Sequence, residues 1–203
     1  MKIVCIGRNY RDHAKELGNE VPKEPVIFIK PSSCMSIGGK PFFIPDFTEE
    51  VHYELELVLR ISKVAKAVER KFARRYYAEV GLGIDFTARD LQNDLKAKGL
   101  PWEKAKSFDG AAAVGEFVPL DELPNRDSIK FQLHKNGELV QDGDSADMLF
   151  DFDAIIVEVS KYFRLTLGDL IFTGTPAGVG PVSINDHLVG TLEGRRLLDI
   201  RVK

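Results

Sequence analysis

The chain has 203 residues, a hydrophobic content of 44% and a formal net charge of −3, which predicts a single globular domain over residues 1–203. The lack of a basic excess argues against nucleic acid and anionic membranes as partners, and no stretch reaches the about 20 apolar residues that a membrane helix needs. The apolar start is too short for a signal peptide, and the two cysteines make neither a metal spacing nor a disulfide framework, so we expect a cytoplasmic protein.

Short apolar segments separated by polar turns open the chain. Residues 2–6 are predicted to form one strand and Val26–Ile29 another. Between them, Tyr10–Leu17 is predicted to be a short helix, with Asn9 as its N-cap and Gly18 as its C-terminal stop.

Two glutamates then interrupt an apolar run at 51–62, whose period of two predicts a strand. Since residues i and i+2 of a strand share a face, the carboxylates of Glu54 and Glu56 stand side by side, and they repel unless water or a cation lies between them. Asp85 is a third isolated acid, in the glycine-rich predicted strand 80–86. Three such carboxylates indicate a hard divalent cation, most simply Mg²⁺. The alternative is an ordinary solvent-facing strand.

Strands dominate the rest of the chain. The predicted elements are a helix at 71–77, a helix at 88–97 with Thr87 as N-cap and Gly99 as stop, an irregular segment at 101–108, a strand pair 129–135 and 138–141 joined by Asn136-Gly137, a core helix at 152–164, a buried strand at 170–173 and a terminal strand region from 188. Regular βαβ alternation is missing from this order. The pattern therefore predicts an α+β fold with a mixed, largely antiparallel sheet or β-roll and few helices.

Two helices carry polar pairs at i, i+3 spacing. His13 and Glu16 can touch on the first helix, and a glutamate raises the basicity of a neighbouring histidine, as a general base requires. Arg89 and Gln92 follow Asp85 closely enough to lie beside a metal bound there, where Arg89 can pair with a substrate carboxylate. The alternative for both pairs is a charged, solvated helix surface.

Three further residues stand out less clearly. Lys106 lies in a loop, where a lysine is usually solvated. The loop 174–181 lacks the Gly-Lys-Ser/Thr ending of a phosphate-binding P-loop, but its Thr175 hydroxyl and backbone N–H groups can face a carboxylate. His52 shares the strand face of the two glutamates, which allows it a role behind the metal ligands.

Motifs along nearly the whole chain together resemble the fumarylacetoacetate hydrolase family, most closely its short single-domain acylpyruvases and oxaloacetate decarboxylases. The matching stretches are Gly7–Tyr10 with Asp12, His13 and Glu16, then Phe28–Ser32, His52–Leu57, Asp85–Gln92, Lys98–Trp102, Lys106–Phe108, Asn136–Glu138, Gly168–Asp169 and Thr173–Pro181. The resemblance implies mixed β-sheets rolled around the site, a homodimer, and an N-terminal lid at about 8–20 that orders over a small 2-oxo acid substrate.

The resemblance also implies a role for each site residue. The implied metal ligands are Glu54, Glu56 and Asp85, holding Mg²⁺ or, in its place, Mn²⁺; the implied catalytic residues are His13, Glu16 and Lys106; the implied substrate contacts are Arg8, Arg89, Gln92 and Thr175. In this family the histidine–glutamate pair activates water.

The implied activity is metal-dependent hydrolysis of the C–C bond of acylpyruvate-type 2,4-dioxo acids, which gives pyruvate and a carboxylic acid. Oxaloacetate decarboxylation or tautomerisation is an alternative that uses the same enolate chemistry, as is hydration or isomerisation of unsaturated 2-oxo acids. A non-catalytic, metal-stabilised binding protein is an alternative of another class.

Overall fold

The structure is a computed structural model that describes residues 1–16, 18 and 20–203. Leu17, the predicted last residue of the first helix, lies outside the described residues. The strands are β1 (Lys2–Gly7), β2 (Val26–Pro31), β3 (Met35–Ile37), β4 (Val51–Tyr53), β5 (Leu55–Ile61), β6 (Tyr77–Asp85), β7 (Thr87–Ala88), β8 (Ala112–Pro119), β9 (Lys130–Lys135), β10 (Glu138–Asp144), β11 (Leu170–Phe172), β12 (Gly180–Pro181), β13 (His187–Leu192) and β14 (Arg195–Arg201). The α-helices are α1 (Arg11–Glu16), α2 (Arg89–Ala97), α3 (Glu103–Lys106) and α4 (Phe152–Tyr162).

The described residues form three sheets. The largest has the strand order β2-β1-β11-β5-β6-β8-β3, and among its described pairs only β1–β11 and β3–β8 are parallel. A second sheet, β10-β9-β13-β14, is antiparallel throughout, and a small third sheet has the order β12-β4-β7. This arrangement confirms the predicted α+β class with a mixed, largely antiparallel sheet. Within the described ranges, no helix has both the length and the apolar character needed to span a bilayer.

The strand predicted at 51–62 is divided in two at Glu54, which corrects the prediction. β4 belongs to the three-stranded sheet and β5 to the seven-stranded one, so the chain changes sheets at the first glutamate. β5 is buried on both faces, including Val58 on the face of the glutamates. In a half-exposed strand, alternating polar and apolar residues mark a solvent-exposed face and a buried face. The alternation of acidic residues and leucines in β5 does not, because both of its faces are buried.

Two predicted helix caps are wrong. Thr87 lies in β7, and the position before α2 is occupied by Ala88. Asn9 is buried, and its Oδ1 accepts a hydrogen bond of 2.9 Å from the backbone N–H of Phe150 in place of one from α1. The Thr87 hydroxyl likewise accepts a 2.6 Å hydrogen bond from Lys106 Nζ. Both polar side chains therefore join segments that are distant in the sequence, an outcome that local sequence rules do not anticipate.

Other predicted elements are largely confirmed. The hairpin between β9 and β10 turns at Asn136 and Gly137, which have φ values of 55° and 89° and thus the left-handed conformation that this turn requires. The segment predicted as a helix at 71–77 is a 3₁₀ helix over Arg70–Arg75. The segment predicted as irregular at 101–108 contains the one-turn helix α3.

A glycine lets the central strands pack closely behind the acidic residues. Gly83 on β6 pairs with Glu56 on β5. A Cβ atom at position 83 would lie 2.6 Å from Cε1 of Phe172 and 2.8 Å from Cγ2 of Val58. The ring of Phe172 therefore packs directly on the β6 backbone, where a side chain at position 83 would exclude it.

Candidate active site

Three acidic side chains meet where β5 and β6 pair. Glu54 immediately precedes β5, Glu56 lies within it, and Asp85 ends β6. The backbone N–H of Asp85 donates a 2.9 Å hydrogen bond to the carbonyl of Glu54, which fixes the two residues side by side. One carboxylate oxygen from each of the three lies within 4.8 Å of the other two, and all three side chains are buried.

Buried cations surround this acidic cluster. Lys106 Nζ donates to Glu54 Oε2 at 2.7 Å and to Asp85 Oδ2 at 2.9 Å. Lys30 Nζ lies 2.6 Å from Asp85 Oδ1, and the Arg89 guanidinium pairs with the other oxygen of Glu54. Three carboxylates thus face three buried cations, a balance that limits the cost of burying so many charges.

The charge balance is uneven between the two glutamates. Burial opposes ionisation of Glu54, but Lys106 and Arg89 outweigh it and hold the pKa of this carboxyl far below its usual range. Burial, reinforced by the charges of Asp85 and Glu54, raises the pKa of Glu56 well above its usual range. Glu56 is therefore the carboxyl least favoured as an anion in the metal-free site, and a cation placed between the three acids would favour its ionisation.

The donor set fits a hard divalent metal ion. All three donors are carboxylate oxygens, the ligands that Mg²⁺ and Mn²⁺ prefer. Among the described residues, Asp85 Oδ1 is a buried oxygen that accepts no hydrogen bond and has only the ion pair with Lys30 at 2.6 Å. A buried acceptor without a donor is costly unless another positive group serves it. The acidic triad can therefore hold a divalent cation.

The predicted histidine–glutamate pair lies at the same place. Nδ1 of His13 is 3.3 Å from Oε2 of Glu16, and Oε1 of Glu16 accepts a 3.1 Å hydrogen bond from the backbone N–H of Gly178. His13 is buried in the cleft that contains the acidic triad. Burial lowers the pKa of His13, although Glu54 and Glu16 oppose this shift. The imidazole is thus kept neutral and able to accept a proton near neutral pH.

One cleft contains nearly every site residue that the sequence predicts. Glu16 is the exception, and it contacts the cleft through His13. The predicted residues that line the cleft are Arg8, His13, Glu54, Glu56, Asp85, Arg89, Gln92, Lys106 and Thr175. The structure therefore brings the predicted residues together, while the role of each one stays a prediction.

The predicted substrate contacts are held in place by neighbours. Arg89 Nη1 donates to Gln92 Oε1 at 2.6 Å, one turn further along α2. The Thr175 hydroxyl accepts a 2.8 Å hydrogen bond from Gln141. His52 touches the site through Arg89, whose Nε lies 3.3 Å from its Nδ1, and its other nitrogen is 2.7 Å from Glu50 Oε1. His52 thus orients Arg89 from behind.

Two residues for which sequence analysis predicts no role also lie at the site. Lys30 is fully buried next to Asp85 and also donates to the carbonyl of Ala111 at 2.9 Å. The available signal in the sequence was its position, since Lys30 directly follows Ile29 at the end of an apolar strand. Gln141 is buried as well, and its Oε1 accepts from Leu55 N at 2.9 Å. Its partners lie more than 30 residues away, so no local pattern identifies it.

Comparison with known proteins places these features in a family. A profile of the fumarylacetoacetate (FAA) hydrolase C-terminal domain matches residues 2–200. The chain is 43% identical over 201 residues to the oxaloacetate tautomerase FAHD1, mitochondrial, of Bos taurus, covering 99% of this chain and 91% of that protein. It is 40% identical over 197 residues to the oxaloacetate tautomerase YcgM of Escherichia coli (strain K12), covering 97% and 90%.

A solved structure agrees with these relatives. Fumarylpyruvate hydrolase from Pseudomonas aeruginosa, crystallised with Mn²⁺ and pyruvate, superposes with a TM-score of 0.94 at 32% identity, covering 100% of this chain and 89% of that chain. The rolled mixed sheets and the buried acidic triad thus define an enzyme fold with a site for a divalent metal. The chain belongs to the fumarylacetoacetate hydrolase family, as its motifs predicted.

Proposed function

We propose that this enzyme interconverts the keto and enol forms of oxaloacetate with Mg²⁺ held by Glu54, Glu56 and Asp85. The observation that carries the proposal is the buried acidic triad with Lys106 directly against it, in one cleft with a neutral histidine. Two relatives that are named oxaloacetate tautomerases, matched over nine-tenths of their length, support this substrate. Mn²⁺ is the expected substitute metal, since the related hydrolase structure contains it.

Tautomerisation moves one proton between C3 and the oxygen on C2. The bound metal would supply Lewis-acid stabilisation of the negative charge that develops on that oxygen. Lys106, whose pKa is raised by Asp85 and Glu54 against the opposing effect of burial, stays charged and can donate a hydrogen bond to the same oxygen. His13 accepts the proton from C3, and the proton returns to the C2 oxygen, so nothing is gained or lost overall.

Hydrolysis of acylpyruvates is the second candidate, and the contact between His13 and Glu16 favours it. In this reaction His13 takes a proton from water, whose oxygen attacks the C4 carbonyl, while Glu16 holds the imidazole in orientation. The C3–C4 bond breaks, C3 takes up the proton, and the products are pyruvate and a carboxylic acid. The relative named fumarylpyruvate hydrolase supports this candidate.

The first experiment measures oxaloacetate tautomerisation and acetylpyruvate cleavage side by side with Mg²⁺, with and without EDTA. Tautomerisation that stops with EDTA supports the first proposal, and cleavage that stops with EDTA supports the second. Turnover that EDTA does not affect contradicts the metal assignment. If neither substrate is turned over, unsaturated 2-oxo acids are the next substrates to test. A lack of turnover with those as well favours a metal-stabilised binding protein.

Four further predictions accompany this proposal. The single domain over 1–203, the lid at about 8–20, the homodimer and the cytoplasmic location stay predictions. Gel filtration with light scattering tests the dimer directly. Proteolysis with and without a 2-oxo acid and Mg²⁺ tests the lid, since a lid that closes over substrate is cleaved more slowly when the ligand is bound.

A further inference from the structure

One lysine in the cleft has no assigned role. Lys96 lies on α2 at the spacing that places it on the same face as Arg89 and Gln92. It is half-buried and lines the cleft that holds the acidic triad. The helix therefore presents three polar side chains to the cleft, of which Lys96 lies furthest along its axis from Asp85.

The charges around Lys96 differ from those deeper in the site. Lys30, Lys106 and Arg89 each lie against a carboxylate of the triad. Within the part of the chain that the structure describes, neither Lys96 nor its neighbour Arg8 contacts an acidic side chain. Arg8 has a φ of 59°, a conformation that is rare for residues other than glycine and typical of functional turns.

Aromatic rings set the position of the ammonium group. Lys96 Nζ lies 5.6 Å from the ring centroid of Trp102, and Trp102 packs edge-on against Phe28 at 5.9 Å between centroids. Both rings line the cleft. Burial, together with the positive charges of Arg89 and Arg8, lowers the pKa of Lys96 to about 8. A bound anion would relieve this crowding of like charges.

We propose that Lys96, together with Arg8, binds the carboxylate at the far end of the substrate and selects 2-oxo acids that carry a second carboxylate. The inference rests on the proposed function, in which the 2-oxo acid end of the substrate lies at the triad. Lys30, Lys106 and Arg89 already pair with Glu54 or Asp85. The positive charges that remain available to a second carboxylate of the substrate are those of Lys96 and Arg8. Oxaloacetate has such a group, whereas acetylpyruvate ends in a methyl group.

The test compares Lys96→Met with Lys98→Met, a matched control at the C-terminal cap of the same helix, where the exposed lysine pairs with Asp94 at 2.7 Å. A hydrogen-bonded charge pair in a partly buried site contributes about 10- to 100-fold in affinity. Lys96→Met is expected to lower kcat/KM for oxaloacetate by that factor, mainly through KM. Acetylpyruvate turnover is expected to stay within about 2-fold, and Lys98→Met to match the wild type on both substrates.

Calorimetric binding to the Mg²⁺-loaded protein separates this inference from the proposed function. Wild type is expected to bind oxaloacetate more tightly than pyruvate, and Lys96→Met to lose that difference even if neither acid is turned over. Equal losses on both substrates, unchanged oxaloacetate affinity in Lys96→Met, or binding of neither acid by the wild type would each overturn the inference. Lack of turnover with the expected binding pattern would refute only the proposed reaction.

Discussion

The substitution Glu56→Gln separates metal binding from the stability of the metal-free fold. Glu56 Oε2 accepts a 2.7 Å hydrogen bond from Gly174 N, and a glutamine amide oxygen can keep that bond. Glu56 is also the acid whose pKa is raised by burial and by the charges of Asp85 and Glu54. A neutral glutamine at this position therefore avoids the cost of ionising a carboxyl there in the metal-free protein. The metal site, by contrast, loses one of three carboxylate ligands.

The size of the effect follows from linkage. A metal present at 100 times its dissociation constant adds about 2.7 kcal/mol to the free energy of unfolding. In a domain of about 200 residues each kcal/mol raises Tm by about 2–4 °C, so Mn²⁺ or Mg²⁺ is expected to raise the wild-type Tm by about 5–10 °C. Glu56→Gln is expected to lose most of this increase, while its metal-free Tm equals or exceeds that of the wild type.

Thermal unfolding with added EDTA, Mg²⁺ or Mn²⁺ measures both quantities without any assay of turnover. Glu79→Gln is the matched control, because it neutralises a half-buried glutamate that pairs with Arg60 at 3.0 Å outside the site. It should keep the full metal-dependent increase. Two results would refute the assignment of Glu56 as a metal ligand surrounded by like charge. One is a metal-dependent increase of Tm in Glu56→Gln as large as that of the wild type, and the other is a much lower Tm of the metal-free variant.

Three other predictions test individual buried residues. His13→Ala is expected to lower acetylpyruvate cleavage and oxaloacetate tautomerisation by about 10²–10⁴-fold but to leave metal-dependent decarboxylation of oxaloacetate much less affected, because loss of CO₂ needs no base; rates on the three reactions measure this. Gln141→Leu is expected to cost about 1–3 kcal/mol in urea unfolding, since it leaves the buried Leu55 N–H without its acceptor. Asp169→Asn is expected to destabilise the fold at neutral pH, because Lys2 and neighbouring backbone N–H groups outweigh burial and hold the Asp169 pKa below its usual range. That contribution is complete above the unfolded pKa of about 3.9 and is lost as pH falls through the lower folded pKa, so urea unfolding at pH 7 and near pH 3 measures it.

Each of these predictions has an outcome that contradicts it. If His13→Ala lowers the rates of all three reactions equally, the histidine maintains the structure of the site and does not act as a specific base. Unchanged stability of Gln141→Leu would mean that water replaces the lost acceptor, so the residue would not be needed to join β10 to the start of β5. If the destabilisation caused by Asp169→Asn grows as pH falls, the pKa of Asp169 is not lowered in the folded protein.

Local patterns in the sequence determined much of the architecture. The period of two, the Asn-Gly turn and the apolar spacing of α4 predicted strands, a hairpin and a core helix that the structure contains, because each depends on neighbours within a few residues. The spacing of Glu54 and Glu56 also predicted a paired acidic site. The same local reading added Asp85 as a third acid and the i, i+3 pair of His13 and Glu16, whereas the resemblance to a family, read from motifs spread over the chain, supplied the role of Lys106.

Tertiary structure alone decided which cations balance the charges of the acidic residues and which further residues the site needs. The break between β4 and β5 arises because the chain passes from one sheet to another at Glu54, and both faces of β5 are then buried. Lys30 and Gln141 complete the site through contacts made across 55 and 86 residues of sequence. Such contacts depend on which strands pair, and pairing is set by the packing of the whole chain, so no local pattern encodes them.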